Sequence, residues 1–155
     1  MLKTFARRTW RFSETDSLRR HLPRHLFGTS FQNEQQFNEG RVVTQDGFRF
    51  RLRQDDIAEV IGYSGSGKEL DIPETVQGHV VTRVAPFAFS RQRQITAVSI
   101  PDTVDSIGQE AFYICPSLQQ LKLPARLKII GKNAFNYCRA LKSVIVPTGT
   151  IHIDR

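Results

Sequence analysis

Apolar residues recur at a fixed spacing along the second half of the chain. Ile95, Leu118 and Leu141 are 23 residues apart, as are Pro101, Pro124 and Pro147; so are Ile107 and Ile130, Ala111 and Ala134, Phe112 and Phe135, and Cys115 and Cys138. A period of this length marks stacked copies of one small structural unit. One unit runs Leu118-Gln-Gln-Leu121-Lys-Leu123-Pro124, then Leu127, Ile130-Gly131, Ala134-Phe135, Cys138 and Leu141. Its Leu-x-x-Leu-x-Leu start alternates apolar and polar, which predicts a short strand. Pro124 ends the strand because it has no N–H to give a ladder. The Ala-Phe segment predicts one short helical turn on the opposite side, with Phe pointing inward. One coil of 23 residues cannot bury its own apolar side, but a stack of coils can. The expected core is Ile107, Phe112, Leu118, Leu121, Leu123, Ile130, Phe135 and Leu141.

The pattern extends towards the N-terminus in weaker form. Leu70, Ile72-Pro73, Val84 and Ala88-Phe89 make a degenerate unit. From Pro73 to Val84 is 11 residues, against six from Pro101 to Ile107, so this unit carries a five-residue insertion around Gln77-Gly78-His79. Further upstream, Arg41–Thr44 and Phe48–Arg53 flank Gln45-Asp46-Gly47, and Asp-Gly between alternating runs signals a hairpin. Ile57–Tyr63 predicts another strand. Residues 41–72 are therefore expected to form a small β cap that hides the apolar side of the first coil.

The repeated positions resemble those of the BspA-like leucine-rich-repeat family. The residues that carry the likeness are Ile100-Pro101, Ile107-Gly108, Ala111-Phe112, Cys115 and Leu118, repeated as Leu123-Pro124, Ile130-Gly131, Ala134-Phe135, Cys138 and Leu141. Tyr63-Ser64-Gly65, Leu70-Asp71-Ile72-Pro73 and Gly78-His79-Val80-Val81-Thr82 look like the family's entry segment. The likeness covers roughly residues 48–147. It implies a leucine-rich-repeat solenoid, β-rich with some helix, with short parallel strands in 23-residue coils. It also implies an adhesion or protein-interaction surface, and no catalytic residue carries over. One departure is Arg126, which stands where an Asn would build an internal side-chain ladder; the backbone of the turns must find other partners.

The N-terminal 40 residues differ in character. At 100° per residue, Leu2, Phe5, Ala6, Thr9 and Phe12 share one side, and Lys3, Arg7, Arg8 and Arg11 the other, a basic amphipathic helix. The segment is rich in Arg and poor in acids, like a mitochondrial targeting segment; the alternative is an ordinary surface helix. Ser13 and Asp16 read as the cap and first-turn acid of a second short helix ended by Pro23 or Gly28. Residues 29–40 are polar and without period, a linker. Charge follows this division. The chain carries a net +7. Residues 1–30 hold seven of its basic side chains (Lys3, Arg7, Arg8, Arg11, Arg19, Arg20 and Arg24) and two acids, a net of +5. The near-neutral remainder argues against a nucleic-acid-binding core. No apolar run is long enough to span a membrane, and the N-terminus lacks the apolar stretch of a secretory signal. The expected division is an arm and linker, 1–40, followed by cap and repeats, 41–155. The expected location is intracellular and mitochondrial, with the N-terminal helix able to touch a membrane surface.

Motifs with chemical potential are few. Gly62-Tyr-Ser-Gly65-Ser-Gly67-Lys68 matches the spacing of a phosphate-binding loop and follows an apolar strand. Glu69, however, stands where Ser or Thr should reach magnesium, and Pro73 follows too closely for a helix to begin at the lysine. The expectation is a turn between strands. Cys115 and Cys138 occupy equivalent positions in adjacent coils, about 4.8 Å apart, and are expected to be buried thiols that fill core space. His21 and His25 are four apart with Pro23 between them and have no companion ligands. The reading is therefore no catalytic site, no cofactor and no metal.

Interaction surfaces are the remaining candidates. Arg49, Arg51 and Arg53 alternate with Phe48, Phe50 and Leu52, so the arginines share one face. They are either the solvated side of a half-buried strand or a contact for phosphates or an acidic partner. The last unit supplies Leu141, Val144, Val146 and Pro147 and then departs from the pattern. Val144, Ile145, Val146, Ile151 and Ile153 are expected to be covered by a partner chain or a second copy, the alternative being that the tail folds back and seals the edge. The strand positions Ala97, Ser99, Gln120, Lys122, Ser143 and Ile145 are the second-choice docking face. The function expected is a non-catalytic scaffold, an accessory subunit of a larger assembly whose partners are other proteins, with the basic arm as its anchor. The alternatives are an RNA-contacting subunit of a ribonucleoprotein and a surface adhesion module.

Overall fold

The structure, a computed structural model, describes residues 40–154. The two helices and linker expected before residue 40, with Lys3, Arg7, Arg8, Arg11, Arg19, Arg20, Arg24, His21 and His25, lie outside the described residues.

Eleven short strands are present: β1 (Arg41–Gln45), β2 (Phe48–Leu52), β3 (Ile57–Tyr63), β4 (Glu69–Asp71), β5 (Thr75–Val76), β6 (His79–Val84), β7 (Ala97–Ser99), β8 (Ser106–Ile107), β9 (Gln120–Lys122), β10 (Ile129–Ile130) and β11 (His152–Ile153). They form a β-solenoid with two sheets. The larger sheet runs β1-β2-β3-β6-β8-β10-β11, with β5 added to β6, and the smaller runs β4-β7-β9. Pairing between coils is parallel, and its register is the sequence period. Ser106 lies opposite Ile129 and Ile129 opposite His152, and Ala97 opposite Gln120. Leu70 instead lies opposite Val98, 28 positions on. The difference is the five-residue insertion. It forms the antiparallel β5–β6 hairpin, turning at Gln77 and Gly78, both with positive φ (47° and 82°). A matching two-residue turn at Asp46 and Gly47 (51° and 81°) joins β1 to β2. Such turns follow the natural twist of paired strands. β2 pairs antiparallel with β3, which continues in parallel with β6, so the hairpin extends the larger sheet beyond the first coil.

The Ala-Phe segments are not helical turns, and no helix occurs among the described residues. Each segment is two tight turns with left-handed residues at both ends. Phe87, Glu110 and Asn133 hold φ of 61°, 52° and 55°, and Arg91, Ile114 and Tyr137 hold 64°, 56° and 61°. Both series keep the 23-residue period. Non-glycine residues pay about 1–2 kcal/mol for this conformation, and it turns alternate N–H groups towards the next coil. Phe87, Phe89 and Arg91 donate to the carbonyls of Gln109, Ala111 and Tyr113 at 3.0, 2.7 and 2.7 Å. Glu110, Phe112 and Ile114 donate likewise to Lys132, Ala134 and Asn136 at 2.9, 2.8 and 3.0 Å. A helix would spend these donors within the coil. This ladder is the answer to the missing Asn: the turns bond coil to coil through the backbone, and Arg126 is exposed.

The coils approach closely where the repeat has Ile-Gly. A Cβ on Gly108 would lie 2.4 Å from the Pro86 nitrogen, and one on Gly131 2.5 Å from the Gln109 nitrogen. Inside, the repeated phenylalanines form a column. Phe89 and Phe112 stack with centroids 4.9 Å apart and planes 1° from parallel, and Phe135 follows at 5.7 Å. Phe48 of β2 meets Phe89 edge-on at 6.4 Å and starts the column. Ile107, Phe112, Leu118, Leu123 and Ile130 are buried as expected. Leu121, Phe135 and Leu141 are corrected to half-buried: no further coil follows Phe135 and Leu141 among the described residues, and beside Leu121 the next coil forms no strand.

Candidate functional site

The smaller sheet presents a regular outer face. In β4, β7 and β9 the middle residues Leu70, Val98 and Leu121 point inward, and the flanking residues point out. The strand register sets Glu69, Ala97 and Gln120 in one row and Asp71, Ser99 and Lys122 in the next. Together they line a shallow open groove of ≈ 550 Å³. Ala97 and Ser99 form a low floor between two acids on one side and Lys122 on the other. None of these charged groups takes part in an ion pair with another described residue. Ala97, Ser99, Gln120 and Lys122 are thus brought together as their repeat positions require. Ser143 and Ile145 are not. They lie one period beyond β9 but form no strand, and Ile145 is 88% exposed. Glu69 and Asp71 were missed. Their signal was the alternation Glu69-Leu70-Asp71-Ile72-Pro73, which parallels Ala97-Val98-Ser99-Ile100-Pro101.

At the C-terminal end, Thr150–Ile153 continues the repeat. The Thr150 hydroxyl donates to the Leu127 carbonyl at 3.2 Å, the N–H groups of Ile151 and His152 to Lys128 at 2.9 and 3.1 Å, and that of Asp154 to Ile130 at 3.0 Å. β11 therefore pairs with β10 one period on, and the tail does not leave the pattern. Ile151 and Ile153 stay exposed at 82% and 51% because nothing among the described residues stacks beyond them.

Arg49 and Arg51 of β2 and Arg53 just after it are not equivalent. Arg51 and Arg53 reach across to β3, and both pair with Oε2 of Glu59 at 3.2 and 3.3 Å. Glu59 is the one charged side chain buried among the described residues. Arg49 instead lies over Gly62, where a Cβ would come 2.5 Å from its guanidinium. The strand assignment could not show the Glu59 pairing, which depends on the β2–β3 register and its bulge.

The Gly62–Lys68 loop wraps the Tyr63 ring. The Gly67 N–H donates to the Tyr63 hydroxyl at 3.0 Å, and Gly65 and Gly67 lie so close to that ring that a Cβ on either would overlap it. The glycines serve this packing, and the loop is a turn between β3 and β4. Cys115 and Cys138 are free and buried. Their thiols donate to the carbonyls of Phe89 and Phe112 in the preceding coil, at 3.1 and 3.0 Å. The neighbouring Cys138, and then burial, push the Cys115 thiol up from its ordinary value. Among the described residues no three His, Cys, Asp or Glu side chains gather to hold a metal ion, and no helix is long and apolar enough to cross a membrane.

Comparison with known proteins places this geometry. A search among curated proteins finds no match. Among solved structures, a leucine-rich repeat protein from Bacteroides capillosus is 31% identical, with a TM-score of 0.68 over 73% of this chain and 87% of that one. The Treponema protein described as T. pallidum Leucine Rich Repeat protein is 30% identical, with a TM-score of 0.69 over 74% of this chain and 54% of that one. A leucine rich cell surface protein from Faecalibacterium prausnitzii is 31% identical, with a TM-score of 0.62 over 67% of this chain and 30% of that one. The chain thus spans about half of the second and under a third of the third. Residues 63–155 match the family described as BspA type Leucine rich repeat region (6 copies). With that match over most of its length, and with the period, the coil-to-coil ladder and the phenylalanine column in register, the chain belongs to the BspA-type leucine-rich-repeat family.

Proposed function

We propose that this chain is a non-catalytic protein-interaction module that docks a partner on the groove of β4, β7 and β9. The observation that carries the reading is the outer face itself. Small side chains at Ala97 and Ser99 leave the strand surface accessible, and Glu69, Asp71 and Lys122 offer both signs of charge without ion-pair partners in the described chain. Such a face gives orientation through charge and contact area through its floor. In its finer form the module is an accessory subunit, with the basic N-terminal arm as anchor, as the concentration of charge in residues 1–30 suggests. A second reading is a surface adhesion module. It is favoured by the likeness to a cell surface protein of Faecalibacterium prausnitzii.

The test is a photo-crosslinking residue at Ser99 in the full chain, with the same residue at exposed Gln94 as control. The expected result is one discrete adduct from Ser99, lost when Ala97→Arg fills the groove while the thermal midpoint is kept. Adducts of equal yield from both positions, or an adduct indifferent to Ala97→Arg, refute the groove.

A further inference from the structure

The outer face of the larger sheet carries a second, differently built surface. The register sets Val42, Arg51, Glu59, Arg83, Ser106 and Ile129 in one row across β1, β2, β3, β6, β8 and β10. Arg49 flanks Arg51 on its own strand, and Arg53 follows just after the strand ends. Four arginines therefore share this part of the face, two of them on the Glu59 carboxylate. Glu59 is buried and holds Arg51 and Arg53 against the sheet with a single oxygen. Arg49 lies flat over Gly62. Neither Arg49 nor Arg83 forms an ion pair with a described residue. The local balance is strongly positive on a rigid strand surface, and each planar guanidinium keeps donors in a geometry that suits a carboxylate.

We infer that this face docks an extended acidic peptide segment of another protein. Outward residues of β2 recur every ~6.8 Å, two strand residues apart. An extended peptide with an acid at every second position presents its carboxylates at the same ~6.8 Å. The row also holds aliphatic side chains in the open. Val42, opposite Arg51, is 54% exposed, and Ile129, beyond Arg83 and Ser106, is 45% exposed. The side chains of an acidic peptide lying along β2 reach Val42 on the neighbouring strand; a nucleic-acid backbone has no apolar group to place there. The chain's own first thirty residues, net +5, have the wrong sign for this face. The inference rests on reading the chain as an interaction module, but it concerns another surface and another chemistry than the groove.

Fluorescence anisotropy with the full chain tests it, using a labelled peptide of four Glu-Val repeats as probe. The expected result is saturable binding that weakens with salt, drops at least tenfold in the Arg49→Ala, Arg83→Ala double variant, and is unchanged by Arg93→Ala at an exposed position outside both surfaces. Arg49 and Arg83 are the residues to remove because no ion pair with a described residue is lost with them, and a circular dichroism melt checks that the variant is folded. No saturable binding up to about 1 mM overturns the inference and leaves the groove proposal standing. Binding that the double variant leaves intact puts the peptide elsewhere on the chain and also overturns it. So does tighter binding of a twelve-residue single-stranded thymidine oligomer that the same double variant abolishes, because the face would then serve nucleic acid.

Discussion

Truncating the phenylalanine column at two of its rungs measures how the stack of coils is held together. Phe112 is fully buried and stacks on both sides, against Phe89 and against Phe135. Phe135 occupies the same repeat position one coil later, with one stacking neighbour and a partly buried ring. Removing a fully buried phenylalanine ring costs about 3–5 kcal/mol in lost transfer energy and residual cavity. Phe112→Ala should fall in that range, because coils on both sides keep the cavity from collapsing. Phe135→Ala keeps the same chemistry but starts from a ring that is only partly buried and stacked on one side, so it should cost less, about 2–3 kcal/mol. The assay is equilibrium denaturation of the full chain followed by circular dichroism. Trp10, the single tryptophan, lies outside the repeats and is a poor probe of them. The ordering of the two variants is the informative quantity. Equal losses would mean that something covers Phe135 in solution as well as Phe112 is covered here. A loss under about 1 kcal/mol for Phe112→Ala would mean that the column does not hold the coils.

Gly108→Ala should destabilise by about 1–3 kcal/mol, because its Cβ would meet backbone atoms of the preceding coil that cannot move aside; an unchanged denaturation midpoint would remove close coil packing as the reason for Ile-Gly. Cys115 should resist alkylation in the folded protein and react on unfolding, as read by mass spectrometry. Its thiol is raised in the folded state, so the stability it contributes is present below the ordinary thiol range and falls as pH rises above about 8.5; Cys115→Ala should flatten that part of the stability profile. Ile151→Lys with Ile153→Lys should change the melting midpoint little, since both side chains are exposed. Loss of assembly in that folded variant would locate a docking site at the C-terminal edge, and unchanged affinity would exclude it. If the chain is the accessory subunit proposed above, deleting residues 1–30 should leave a folded repeat region that no longer binds its partner; unchanged binding would show that the basic arm is not the anchor.

The repeat was legible in the sequence because each coil is local. Inward residues such as Ile107, Phe112 and Leu118 follow one another along the chain, and stacking only repeats them, so the period is also the register. The Asp46-Gly47 turn was legible for a similar reason, since it sits between alternating runs; at Gln77-Gly78 only the insertion was legible, and the hairpin it forms was not. What the tertiary structure decided depends on neighbours one coil or one strand away. The Ala-Phe segment has a sequence that suits a helical turn, but the carbonyls of the adjacent coil take its N–H groups and hold Phe87, Glu110 and Ile114 in the left-handed region. Arg51 and Arg53 read as a free basic face until a cross-strand register with a bulge set Glu59 between them. Thr150–Ile153 looked like a departure because its Ile-Gly and Ala-Phe marks are absent, yet backbone hydrogen bonds to Lys128 and Ile130 hold it in register, and such bonds need no particular side chain. A side-chain pattern reports what a residue buries against its own coil. It is silent about which backbone groups of the next coil, or which charge of the next strand, will come to meet it.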